Sequence, residues 1–160
     1  MTVIGLGNSE MGDDGVGLAL VQLLRDERER GAWGADPGSR AAAARLVAAD
    51  RDPLLAGACI AEGEPTLLVD AVEMRGEPGS WRVFSHGDAD FPTPPRGAST
   101  HGMSAAEMIE IARGLGCADG LRLMGIQLGD RSPGRGLSSA VRRVLPECLE
   151  RIKQEVELLP

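Results

Sequence analysis

The sequence predicts an α/β fold in which helices cover both faces of a mostly parallel sheet. Three observations lead there. The runs TVIGLG, TLLVDAV and LRLMGIQL are apolar nearly throughout, the pattern of strands buried on two sides. Segments with apolar residues at helical spacing stand between them. The chain has 160 residues, 42% of them hydrophobic and 26% charged, which suits one domain, 1–160, with a substantial core.

Taken in order, TVIGLG is a strand that feeds a tight turn at glycine. Val16, Leu20, Leu23 and Leu24 then recur at helical spacing, and RDERER is the solvated end of that helix. Residues 31–43, GAWGADPGSRAAA, are rich in Gly, Ala and Pro and read as a loop. ARLVAA is expected as a strand and RDPLLAGACIAEG as a short helix closing on glycine. TLLVDAV is the clearest strand of the chain, and SWRVFS alternates as an edge strand does. Residues 86–103, with their Asp, Gly and Pro, read as a loop. Ser104 and Glu107 form a capping box that opens a helix running to Gly116. LRLMGIQL is another buried strand. Beyond the loop GDRSPGRG, Ser138 can cap a final helix that reaches about Leu158, and Pro146 should kink that helix or split it.

Composition narrows the function. Aromatic residues are only 2%, so Leu, Val, Ile, Met and Ala must fill the core. A formal charge of −7 argues against nucleic acid or an anionic membrane as partner, because phosphate binding is driven by Lys and Arg. No apolar run approaches the roughly 20 residues that span a bilayer. MTVIGLG has no basic segment ahead of its apolar residues, unlike a signal peptide. Cys59, Cys117 and Cys148 are an odd, widely spaced set without a C-x-x-C pair, which suits free thiols in a reducing compartment. A cytoplasmic protein is expected. No extended amphipathic seam calls for an oligomer, so a monomer is expected as well.

In open α/β sheets, ligands gather at the carboxyl ends of strands. Asp14, with Asp13 beside it, follows the first strand; Asp70 lies near the end of TLLVDAV; and His101 precedes the capped helix. Each has an ordinary reading. Asp13 and Asp14 suit a helix N-terminus, whose free N–H groups favour carboxylates. Asp70 could be bonded to loop amides, although an acid in so apolar a strand is costly unless it is paired or coordinated. His101 could be incidental, and His86 competes with it. Together, one imidazole and two carboxylates suit a borderline divalent ion such as Ni²⁺ or Zn²⁺, or metal-free acid–base work.

The glycines of GLGNSEMGDDGVG do not fit a dinucleotide loop. Glu10 holds the third glycine position of G-x-G-x-x-G, and two acids follow Gly12 where pyrophosphate would meet the helix. GLGN also resembles the start of peptidyl-tRNA hydrolases, but this chain lacks a basic face for tRNA and a histidine soon after the motif. Four blocks in order resemble the hydrogenase maturation endopeptidases, the processing proteases of [NiFe]-hydrogenase large subunits. They are GLGNSEMGDDGVG, LLVDAVEMRGEPGSWRVF, STHGMSAAEMI and MGIQLGDRSPGRGLSSAV. The resemblance implies a three-layer α/β/α sandwich with a mostly parallel central sheet, of the phosphorylase/hydrolase-like kind. It implies removal of a C-terminal extension from a nickel-loaded large-subunit precursor, the Ni²⁺ being carried by the substrate and replaceable by other divalent ions in vitro. The family's metal-contacting and catalytic residues fall by motif on Asp14, Asp70 and His101. Asp13 would then orient the loop or act as an acid supporting the metal-contacting residues, and Asn8 would hold the turn through its side chain. A peptidase for another metalloprotein precursor, or a non-catalytic metal sensor or assembly chaperone of the same fold, is the alternative.

Overall fold

The computed structural model describes residues 1–85, 88, 105–114, 116 and 120–158. Five strands, β1 (Thr2–Gly7), β2 (Arg45–Asp50), β3 (Thr66–Val72), β4 (Trp81–Ser85) and β5 (Leu121–Gln127), form one sheet in the order β2-β1-β3-β5-β4. All pairings are parallel except that of β4, which lies antiparallel on the edge beside β5. The alternating run SWRVFS therefore is the edge strand its pattern predicts, while β1, β3 and β5 fill the apolar centre.

Among the described residues, five helices flank this sheet: α1 (Val16–Glu29), α2 (Arg40–Ala43), α3 (Pro53–Ala61), α4 (Ala105–Gly114) and α5 (Ser139–Leu158). Side chains alternate across each strand. Val3, Leu67, Val69, Met124 and Ile126 meet Leu20, Leu24, Val141 and Ile152 of α1 and α5. Ile4, Leu6, Leu68 and Leu123 meet Ala56, Ile60, Met108 and Ile109 of α3 and α4 on the other face. The result is the three-layer α/β/α sandwich. Each fully buried Leu or Ile in these layers contributes about 1.5–3 kcal/mol. Among the described residues, no helix is long and apolar enough to cross a membrane.

Two expectations need correction. The stretch 31–43 is not loop throughout, because Ser39 accepts from Ala42 N and opens α2 over residues 40–43. Arg28 stacks on Trp33 at 4.9 Å and donates to the carbonyls of Ala41 and Ala44, which pins the stretch to the end of α1. Of the two outcomes expected at Pro146, a kink or a split, the split does not occur, and the last helix continues from Ser139 to Leu158. The proline is exposed, on the solvent side of the helix. Further along α5, the buried Glu155 receives Arg122 of β5 at 2.5 Å and Arg151 of its own helix. The capping box at Ser104, the loop 86–103 with His86, and Cys117 lie outside the described residues, apart from Asp88. Cys59 and Cys148 are buried free thiols.

The order of the strands creates one special place. From β1 the chain crosses to β2 on one side and then returns to β3 on the other. β1 and β3 are paired from Thr2↔Thr66 to Gly5↔Val69 and no further. β1 nonetheless stays on β2 as far as Gly7↔Asp50, and β3 stays on β5 as far as Val72↔Gln127. The sheet thus divides at its carboxyl edge between β1 and β3, the kind of crevice in which α/β proteins bind ligands.

Candidate active site

The amino end of α1 is pressed into this division. A Cβ on Gly17 would lie 2.2 Å from the Val69 carbonyl oxygen and 2.5 Å from that of Leu6, so only glycine lets the helix reach both strands. Ahead of it, residues 12–15 form a single 3-10 turn that packs against β3. Gly7, with φ +136°, ends β1 where a Cβ would fall 1.8 Å from the Asp14 carbonyl oxygen. Asn8 holds the bend as expected: its side chain accepts from Glu10 N at 3.0 Å and its amide donates to the Asp14 carbonyl at 3.3 Å.

The two acids of the turn do different work. Asp13 is fully buried, and it caps no helix. Its Oδ2 accepts from the amides of Gly129 and Asp130, both at 2.8 Å, and its Oδ1 from Ser138 N at 2.6 Å. Burial alone would push the carboxyl up, but these amides and the Ser138 hydroxyl outweigh it and hold the group below its ordinary value of 3.8. Its own amide donates to the Asp130 carbonyl at 2.7 Å, and Gly134 N donates to the Glu10 carbonyl at 2.9 Å. The loop after β5 is thereby carried past β3, which lies between the two strands, and strapped onto the loop after β1.

Asp14 faces outward instead. Its side chain is 20% exposed, and Oδ1 takes a 2.8 Å ion pair from Arg131 Nη2, on the strapping loop. Asp70 is half-buried opposite Gly125 and alternates on β3 with Leu68 and Val72, which puts it on the face covered by α3 and α4. Asp14, on the turn after β1, and Asp70, near the end of β3, therefore both lie at the carboxyl edge of the sheet where β1 and β3 part. His101 lies outside the described residues; along the chain it precedes α4 by four positions. Among the described residues no three His, Cys, Asp or Glu side chains could together hold a metal ion. The donor chemistry of the two carboxylates still suits a cation, and Arg131 already supplies a positive charge to one of them.

Two contributors were not foreseen from the sequence. Arg131 is one. Gln127 is the other: its Oε1 accepts from Met74 N at 2.6 Å and Gly76 N at 3.2 Å, fixing the turn after β3 to the end of β5.

Comparison with known proteins agrees with this architecture. No curated protein sequence matches the chain. The [NiFe]-hydrogenase maturation protease HycI of Thermococcus kodakarensis is similar in structure with a TM-score of 0.69 at 19% identity, over 97% of this chain and 90% of that one. The hydrogenase maturating endopeptidase HybD of Escherichia coli superposes with a TM-score of 0.65 at 18% identity, over 94% and 88%. The endopeptidase HycI of Escherichia coli gives 0.62 at 23%, over 96% and 88%. A sequence model of the HycI hydrogenase maturation proteases matches residues 58–155, more than half of the chain, and the protein belongs to this family of endopeptidases.

Proposed function

We infer that the protein removes a C-terminal extension from the nickel-loaded precursor of a [NiFe]-hydrogenase large subunit, with Asp14, Asp70 and His101 meeting the nickel that the substrate carries. The observation that supports this reading is that the turn bearing Asp14 and the strand end bearing Asp70 both lie at the carboxyl edge of the sheet, where β1 and β3 part. Two carboxylates and an imidazole make a donor set that a borderline divalent ion accepts. Nickel held in the precursor's own ligands would complete its coordination from these side chains, so cleavage would follow only after nickel insertion. The same carboxylates can take or give a proton as water attacks the scissile carbonyl.

The test is cleavage of a cognate precursor, with and without nickel loading, by wild type, Asp14→Asn and His101→Ala. Nickel-dependent shortening by wild type, reduced at least about 100-fold in both variants, is expected, in line with the loss of an acid–base or metal-contacting group. Undiminished cleavage by His101→Ala would remove that residue from the site. Binding of the loaded precursor without cleavage by wild type would point to a sensor or chaperone instead.

A further inference from the structure

We propose that Arg131 is a specificity-determining residue that keeps Asp14 from binding free divalent ions and yields it only to a cation delivered by a docked protein. The inference rests on the reading of Asp14 given above. Arg131 Nη2 lies 2.8 Å from Asp14 Oδ1, so an arriving cation must displace a guanidinium or share the carboxylate with it.

The root of the Arg131 side chain is fixed while its arm is free to leave. Asp130 is bonded to Asp13 through both its amide and its carbonyl, and Asp130 Oδ1 accepts from Ser132 N at 2.8 Å. Both backbone neighbours of Arg131 are therefore held in place. The side chain itself is 59% exposed and can swing into solvent. Exposed ion pairs are weak, and this one is somewhat stronger because Asp14 is mostly covered. That is enough to weaken a free ion, which has only a few protein ligands to offset its lost hydration. It is too little to stop a protein substrate whose whole contact surface favours docking. The guanidinium also repels any divalent cation that approaches while it remains in place.

The experiment is titration of Ni²⁺ alone into wild type, Arg131→Gln, Arg131→Lys, Asp14→Asn and the Asp14→Asn/Arg131→Gln double variant, followed by calorimetry. Arg131 is exposed, so unfolding midpoints within about 2 °C of wild type are expected for its single variants, as for other surface substitutions. Arg131→Gln should bind Ni²⁺ about three- to tenfold more tightly than wild type, which is the affinity equivalent of losing such a pair. Arg131→Lys should restore much of the wild-type weakness, and the double variant should lose the gain. Equal affinity in wild type and Arg131→Gln, or no binding by either, overturns the inference; so does a gain that survives in the double variant. Failure of the underlying reading is distinguishable, because Asp14→Asn would then cleave the nickel-loaded precursor as wild type does.

Discussion

Replacing Asp13 by Asn tests whether a buried carboxylate holds the site together. Asparagine keeps the shape but has one oxygen. Turned towards Gly129 and Asp130, that oxygen keeps two bonds, and the NH₂ group then confronts the Ser138 N–H at the position where Oδ1 now accepts it at 2.6 Å. Turned the other way, it loses two. In the better arrangement one bond to a charged acceptor is gone, a loss of about 1.5–3 kcal/mol, and the remaining two lose their charge assistance. A total of about 2–4 kcal/mol follows, or a fall of roughly 5–15 °C in Tm at this chain length. The pH dependence supplies a second check. The folded carboxyl lies below its ordinary 3.8, so its contribution is complete above the unfolded value and disappears as pH falls through the folded one. The gap between wild type and Asp13→Asn, measured by urea unfolding, should stay constant from about pH 8 to 5 and close below about 4. A gap under 1 kcal/mol at neutral pH, or one that widens in acid, would refute the assignment.

Two further outcomes follow from the packing. Gly17→Ala should cost at least about 3 kcal/mol in chemical unfolding despite the ~1 kcal/mol advantage of alanine in a helix, because its Cβ meets only backbone atoms of β1 and β3; a neutral result would show that α1 can retreat from the sheet. Cys148 is buried, and burial together with the nearby Glu147 pushes its thiol up to about 12. Iodoacetamide at pH 8 should therefore leave Cys148 unmodified in the folded protein and label it in urea, as read by peptide mass spectrometry; rapid native labelling would contradict the burial.

Much of the architecture was legible because it depends on local pattern. Buried strands in TVIGLG, TLLVDAV and LRLMGIQL, and the alternating edge strand SWRVFS, are read from one segment at a time. Helix α2 escaped notice because its single turn is held by Arg28, which reaches in from the preceding helix. The positions of Asp14 and Asp70 followed from strand ends. The division of the sheet between β1 and β3 did not, since strand order and the point where a ladder stops are long-range properties. Asp13 was legible as a loop-orienting acid but its partners were not: they are backbone amides of Gly129, Asp130 and Ser138, which carry no side-chain signature. Arg131 looked like any charged loop residue because its partner, the Asp14 side chain, lies 117 positions away in the chain.

The strap from the loop after β5 to Asp13 also sets an order in time. Asp13 is made early, yet its partner Ser138 is 125 residues further along the chain. At translation rates of about 5–20 residues per second, some 6–25 s separate the two on the ribosome. Until then the turn bearing Asp14 lacks the amides that shape it and the arginine that covers it. A nascent or truncated chain would hold its sheet-forming segments without an organised turn at the carboxyl edge between β1 and β3, so the peptidase matures as a unit only when its last loop has been made.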